Sequence, residues 1–487
     1  MDKSKVKFGT SGIRGLVSDM TDKLCYAYTL SFLAYLHEKK SIKSGSAVAV
    51  AGDLRDSTPQ IMNAVAAAVT DAGYKIINAG LIPTPALTLY GITEKIPTLM
   101  VTGSHIPDDR NGIKFNKPTG EVLKEDEQGI LAQTPALTDC LFDDNEALLK
   151  SDYLPEIMAE IEAQYIQRYL DFFPANVLTG LKIGIYQHSS VARELLPQIF
   201  KGLGANVTNL GWSEQFISVD TEAIRPEDIV LAEQWSKEYS FDCIISTDGD
   251  ADRPLVSDEN GEWLRGDVAG ILVAQFLQAD AVVTPVSSNS ALEKSNSFAK
   301  VLRTRIGSPY VITAMQSITE LKTVVGYEAN GGFLLNTAVS LNGKTLSALP
   351  TRDAILIPLC LLSFAKQKAC TISELLKTLP SRYTYSDRIK NFPTELSAAI
   401  LATLQTENLQ QNAAEIKRLF AAEIAAVCHI DNTDGVRIIL DNDEAVHLRG
   451  SGNAPELRCY TEAASYQRAK ELNQLCIKHM LNWNISE

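Results

Sequence analysis

A strand–helix–strand plan recurs three times along the chain, and no other feature constrains the fold as tightly. "SAVAVAGDLR" reads as a strand, and "TPQIMNAVAAAVTDAG" as a helix with Thr58 at its N-cap, Pro59 at its first position and a stop at Gly73. "YKIINAG" is the next strand. The plan returns in "LKIGIYQH", "SVARELLPQIFKGLG" and "ANVTNLG", and again in "DAVVTPVSS", "NSALEKSNSFAK" and "VLRTRIGS". Such units favour parallel or mixed sheets covered by helices. The likeness is one of pattern, not residue identity, and it predicts three similar mixed-sheet α/β domains. The tail departs from the plan. "TISELLKTLPSRYTYSDRIK" reads as a helix and a strand, "ELSAAILATLQ" as a helix, "GVRIILDNDEAVHLRG" and "ELRCYTEA" as alternating strands, and "SYQRAKELNQLCIKHML" as a closing helix. This is the signature of a smaller C-terminal α+β domain. The expected domains are 1–150, 151–258, 259–372 and 373–487, as a chain of 487 residues needs several cores.

Charge narrows the partners. The chain has 45 basic and 59 acidic residues, a net charge of −14, which argues against nucleic-acid or membrane-surface binding. An anionic small-molecule substrate stays open, because a local pocket can oppose the global sign. No apolar run reaches the roughly 18 residues of a membrane span, and no apolar segment follows the N-terminal lysines, so no secretory leader is expected. Eight scattered cysteines without a C-x-x-C pair fit the reduced thiols of a cytoplasmic protein.

Five polar loops could carry chemistry. "TGSHIPDDRNGIKF" places Ser104 beside His105, yet it lacks a G-x-S-x-G elbow and an obvious third member of a triad. "DCIISTDGDADRP" reads as a strand ending in Asp248, Asp250 and Asp252. Three alternating carboxylates suit a divalent cation such as Mg²⁺; a solvated acidic turn is the alternative. Arg253 at position six, where a calcium loop has glycine, speaks against an EF-hand. Arg253 also suggests an anion near the metal. "VGYEANGGF" puts Glu328 in a Gly-rich loop, able to accept bonds from hydroxyls or simply to form a turn. "HLRGSGNAPELR", with Arg449, Ser451, Asn453 and Arg458, is either a phosphate cradle or a hairpin turn. "KFGTSGIRG" near the start offers Arg14 in the same two senses. A serine, three carboxylates, a hydroxyl acceptor and cationic loops together fit phosphoryl transfer.

With these five motifs in order, the chain resembles the α-D-phosphohexomutases, most of all the bacterial phosphomannomutase and phosphoglucomutase branch. The resemblance implies three α/β domains and an α+β fourth around a central cleft. It makes Ser104 a phosphoserine that exchanges its phosphoryl group with a hexose phosphate through a hexose 1,6-bisphosphate. Asp248, Asp250 and Asp252 would hold Mg²⁺ against Ser104. Arg14, His105, Lys114 and Arg253 would surround the transferring group, any of them a candidate to move the proton. Glu328 and Asn330 would read sugar hydroxyls, and Arg449, Ser451, Asn453 and Arg458 would grip the non-reacting phosphate. Mannose is the expected sugar, with glucose and glucosamine phosphates, or a non-catalytic sugar-phosphate binder, as alternatives. A monomer or homodimer is expected. Some positions depart from common family patterns: Ile106 stands for asparagine, Asn330 for serine, Gly332 for histidine, Asn453 for threonine, and Ser308 where a neighbouring histidine is usual. Gly332 is expected to lie in an exposed loop, to leave room at the sugar and to tolerate a side chain.

Overall fold

The computed structural model describes residues 6–9, 11–450 and 455–483. It contains two compact units: Met1–Val282 with Gly307–Leu376, and Val283–Ile306 with Lys377–Glu487.

In the first unit, Ala47–Gly52 runs parallel to both Lys75–Leu81 and Thr98–Val101. The helix Thr58–Asp71 makes the crossover, and its Ile61, Val65 and Val69 join Phe32, Val50, Leu99 and Phe115 in one core. Thr98–Val101 then pairs antiparallel with Arg110–Lys117, which pairs with Gly12–Leu16. A second sheet repeats this logic. Lys182–His188 is parallel to Asn206–Trp212 and to Cys243–Thr247. Cys243–Thr247 then reverses into the antiparallel strand Pro254–Val256. A third reversal joins Val324–Tyr327 to Phe333–Leu335. Three candidate loops thus share one setting, the end of a buried strand where the chain turns back. Ends of parallel strands are where open α/β sheets place ligands.

The second unit is built on an antiparallel sheet ordered Tyr383–Lys390, Glu456–Ala463, Ala445–Gly450, Val436–Leu440 and Val427–Asp431. Alternation along Val436–Leu440 sends Val436, Ile438 and Leu440 into a core with Leu448, Phe420 and Trp483. The helix Tyr466–Met480 closes it, capped by Ser465, whose hydroxyl accepts from Arg468 N at 3.2 Å.

Both mixed sheets and the antiparallel tail match the expected fold class. Local detail differs in places. Thr58 does not cap its helix: its hydroxyl donates to Asp53 Oδ1 at 2.7 Å, and the helix begins at Thr58 itself. The "NSALEKSNSFAK" run keeps only four helical residues, Ala291–Lys294. Ser295, Asn296 and Ser297 follow, with Asn296 in the left-handed region, and such side chains compete for backbone bonds. The tail adds Leu409–Leu419 as a helix and Val427–Asp431 as a strand. Among the described residues no helix is long and apolar enough to cross a membrane.

Candidate active site

Buried wiring holds the serine loop. The Arg55 guanidinium donates to Asp53 (3.0 Å) and to four carbonyls: Ser104 (2.9 Å), Ile106 (2.7 Å), Pro107 (2.8 Å) and Arg110 (3.2 Å). Phe216 lies against its face, 3.9 Å from the ring centroid. One planar fork thus satisfies the inward carbonyls of a tight turn, which no single point charge could do. Gly103 is required by that fork, since a Cβ there would stand 2.6 Å from Arg55 Cζ. Asp53 also accepts from Thr102 Oγ1 (2.7 Å), and Thr102 Oγ1 in turn accepts from Ser104 N (2.7 Å). Ser104 itself has φ 56°, a left-handed backbone unusual for serine. It aims the hydroxyl at the aspartate loop: Ser104 Oγ donates to Asp248 Oδ2 at 2.6 Å.

Three carboxylates of that loop are buried, and one oxygen of each lies within 4.8 Å of the others. Ala251 in the left-handed region makes the turn tight, and the backbone N–H groups of Asp252 and Arg253 both donate to Asp248 Oδ1. Gly249 touches the serine loop; a Cβ there would sit 2.9 Å from Ser104 O. Lys114 Nζ donates to Asp250 Oδ2 and Asp252 Oδ2, each at 2.5 Å, and Thr84 Oγ1 adds a bond to Asp250. Arg352 donates to Asp252 Oδ2 from Nε (3.0 Å) and Nη2 (2.8 Å).

Burial, and next the Asp250 and Asp252 charges, push the Asp248 carboxyl well above the usual range. Burial pushes Asp252 the same way, but Arg352, Lys114 and Arg253 outweigh it and hold Asp252 low. Asp250 Oδ1 and Asp252 Oδ1 are buried without a hydrogen-bond partner among the described residues. Unpartnered buried carboxylate oxygens are costly. They are the donors a hard divalent cation would take, so the residues fit such a metal.

Cations ring the serine. Register brings Arg14 and Lys114 together, as Gly12 pairs with Lys114 and Arg14 with Gly112. Gly12 is the close approach that permits this, because a Cβ there would lie 1.9 Å from Ile113 O. Burial, and then Arg253, push Arg14 down to about 10, still charged at neutral pH. Arg253 Nη1 donates to His105 Nδ1 at 2.8 Å. Burial, then Arg253 and Arg14, push His105 down to about 2, so the imidazole is neutral. A neutral ring that accepts at Nδ1 carries its proton on Nε2. His105 Nδ1 is thus taken by Arg253 and Ser104 Oγ by Asp248, so the 3.4 Å contact between Ser104 Oγ and His105 Nδ1 is not a nucleophile–base pair.

The geometry gathers a serine, three carboxylates and several cations, and comparison with known proteins decides the family. Four domain models of phosphoglucomutase/phosphomannomutase match in order: alpha/beta/alpha domain I over residues 5–139, domain II over 163–261, domain III over 265–383 and the C-terminal domain over 401–478. The chain belongs to the phosphoglucomutase/phosphomannomutase family. It is a phosphohexomutase. Among its relatives, a phosphomannomutase of Salmonella muenchen is 45% identical over 96% of this chain and 94% of its own. A phosphomannomutase of Sinorhizobium fredii is 42% identical over 96% and 97%. A putative phosphomannomutase from Thermus thermophilus shares the fold, with a TM-score of 0.74 at 20% identity over 98% and 99% of the two chains.

In this phosphohexomutase the structure gathers Ser104, His105, Lys114, Asp248, Asp250, Asp252 and Arg253, with Arg14 close enough to feel their charges. Glu328, also buried, accepts from Arg352 Nη1 at 3.3 Å. Asn330 turns inward on its own loop, its Oδ1 accepting from Gly332 N at 2.9 Å. The expectation for Gly332 is corrected. The residue is buried, and a Cβ there would meet Arg352 Cδ at 2.4 Å and Cγ at 2.5 Å. The stem of Arg352 fills the space that sequence reading left empty. Ser308 is buried too and donates to Glu121 Oε2 at 2.9 Å.

In the second unit Arg449 and Arg458 face each other on paired strands. Arg449 is held by Asp434 at 3.0 Å and Arg458 by Glu456 at 3.4 Å. Like charges placed opposite are unfavourable unless an anion joins them. Ser451 and Asn453 lie outside the described residues. Sequence reading missed Arg55, Thr84 and Arg352. Arg55 was detectable as a charge just after a buried strand, and Arg352 as an "RD" pair opening an apolar helix, but neither sits in a polar motif.

Proposed function

We propose that the protein is a Mg²⁺-dependent phosphomannomutase that interconverts mannose 6-phosphate and mannose 1-phosphate through a phosphoserine at Ser104 and mannose 1,6-bisphosphate. The observation that carries the reading is Ser104 Oγ at 2.6 Å from Asp248, on an aspartate loop whose other two carboxylates hold Lys114 and whose Arg253 reaches His105. A sugar-phosphate binder has no need of a serine so placed. Relatives named phosphomannomutase at 45% and 42% identity support mannose over glucosamine, whose named mutases are 26–30% identical.

In transfer, the P–Oγ bond of phosphoserine breaks as the sugar hydroxyl oxygen bonds to phosphorus, and the proton that the hydroxyl loses ends on the freed Ser104 Oγ; the return step reverses this from the other phosphate. Arg14, Lys114 and Arg253 balance the phosphoryl charge, with the neutral His105 beside Ser104. The rigid turn held by Arg55 keeps Oγ in line, so positioning does much of the work. Mg²⁺ held by Asp248, Asp250, Asp252 and the phosphoserine would supply further charge neutralisation. Glu328 accepts from sugar hydroxyls, and Arg449 and Arg458, with Ser451 and Asn453, bind the non-reacting phosphate. The four-part division at 150, 258 and 372 assigns one loop to each of these tasks.

The test is intact-mass analysis after incubation with mannose 1,6-bisphosphate and Mg²⁺, then coupled kinetics on mannose, glucose and glucosamine 1-phosphates. One phosphoryl group on Ser104, with kcat/KM highest for mannose 1-phosphate and that for glucose 1-phosphate within about two orders of magnitude, is expected. No phosphoserine, or glucosamine 1-phosphate as best substrate, would overturn the assignment.

A further inference from the structure

Among the described residues Arg352 is the one buried cation that touches both the aspartate loop and the sugar loop of the first unit. Four of the five N–H donors of a guanidinium are committed: two to Asp252 Oδ2, one to Glu328 Oε2 and one to Ser308 Oγ, the last at 3.3 Å. Its neighbours anchor its backbone. Thr351 Oγ1 donates to buried Glu121 at 2.7 Å, and Glu121 also accepts from Ser11 and Ser308. On the other side, Asp353 accepts from the hydroxyls of Tyr165 (2.8 Å) and Tyr169, both buried on the helix Glu160–Phe172. The Arg352 stem lies over Gly332, so this loop can carry no side chain without displacing it. Arginine and glycine here are complementary in volume, and the fork rather than residue 332 brings a polar group to the sugar loop.

We propose that Arg352 is a positioning residue that fixes the Glu328 carboxylate relative to the aspartate loop and thereby sets which hexose the enzyme prefers. The proposal rests on the reading of Glu328 as a hydroxyl acceptor. A carboxylate that reads a hydroxyl discriminates epimers only if its oxygens are held at a fixed place. An unsupported glutamate has three side-chain torsions with which to follow either epimer. The planar fork locks one of its oxygens and leaves the other to the substrate. A lysine here would offer one compact ammonium with three donors in place of a planar fork with five, and so could not keep the two bonds to Asp252 together with those to Glu328 and Ser308.

The experiment compares wild type with Arg352→Lys and Arg352→Gln, with circular dichroism as a check on folding. Its readouts are phosphorylation of Ser104 by glucose 1,6-bisphosphate, followed by intact mass, and kcat and KM for mannose 1-phosphate and glucose 1-phosphate. Folded Arg352→Lys is expected to accept the phosphoryl group on Ser104, to raise KM, and to change the mannose-to-glucose ratio of kcat/KM by about tenfold or more. Equal losses for both sugars with unchanged KM would overturn the proposal, since a structural defect lowers only the active fraction. Loss of the native spectrum in both variants would make the role structural and overturn it too. A wild type that takes no phosphoryl group on Ser104 would overturn the reading of that serine, and the proposal with it.

Discussion

The serine and aspartate loops and the Arg449–Arg458 pair are both charged, but they are built in opposite ways. In the first region Lys114, Arg352 and Arg55 are buried and shared. Lys114 serves two carboxylates, Arg352 serves two, and Arg55 serves a carboxylate and four carbonyls. In the second, among the described residues, each arginine leans on one carboxylate, and their side chains are 24% and 34% exposed. Groups that must hold reacting atoms to within fractions of an ångström need a preorganised setting. Groups that bind and release a distant phosphate need only charge within reach. Rigid chemistry and loose grip can thus be told apart by how many partners each charge has.

Substitutions at the two regions should therefore fail differently. The largest effect is expected at Ser104. Ser104→Ala should lower turnover by about 10⁴-fold or more, the scale for losing a covalent nucleophile, and abolish phosphoprotein formation. It removes one hydrogen bond to Asp248, so stability should change by about 1–3 kcal/mol at most. Residual activity near wild type in a protein free of wild-type contamination would break the comparison at its root.

Next comes the aspartate loop. Asp250→Asn keeps the volume but replaces an anionic ligand by a neutral one. It also weakens the hold on Lys114, one of the charges set around the phosphoryl group. A kcat lower by about 10²–10³-fold is expected, as when one electrostatic group is lost in a dry site. The Mg²⁺ concentration for half-maximal activity should rise. An unchanged Mg²⁺ titration would remove the carboxylate cluster as the metal site. Chelation of divalent ions from the wild type, followed by Mg²⁺ alone, should abolish and then restore turnover.

Arg55 sharpens the comparison through stability rather than rate. Arg55→Met should cost about 3–5 kcal/mol, because it strands the buried Asp53 carboxylate and releases the carbonyls of the serine turn. Denaturant melting read by fluorescence gives the value. A loss below about 1 kcal/mol, the level of a surface pair, would show that the turn does not depend on the buried fork.

These expectations also mark what could be read from the sequence. Ser104, the three aspartates, Glu328 and Arg449 were legible because polar residues cluster in short loops after apolar strands, and the strand–helix–strand pattern announced the mixed sheets. Arg55 and Arg352 were not, because their roles arise from contacts 49–55 and 24–100 residues away along the chain. Gly332 was misjudged for the same reason. A glycine reads as open space in a sequence, yet here the space is taken by an arginine stem from 20 positions on. The Thr58 hydroxyl was similarly claimed by Asp53, a tertiary partner that outcompetes the local cap. Helix Leu409–Leu419 escaped notice although its amphipathic spacing, with buried Asn412, Ile416 and Leu419, is plain once placed against the tail sheet.

The smallest effect is expected where the charges are least wired. Arg449→Ala removes a single, partly exposed pair with Asp434, so stability should change by about 1 kcal/mol at most. Its facing partner, Arg458, loses a like-charge neighbour, which offsets part of that loss. Binding should suffer more. A charge-assisted contact to phosphate contributes about 1.5–3 kcal/mol, or roughly tenfold or more in affinity. KM for the hexose phosphate should rise by about that factor, with a lesser fall in kcat because remote binding energy supports the reacting geometry. Phosphorylation of Ser104 should persist, since that centre is built from other residues. The decisive measurement sets the change in KM beside the change in melting temperature. A large stability loss with unchanged KM would mean that Arg449 is structural, and the contrast between wired chemistry and loose grip would then not hold for this phosphohexomutase.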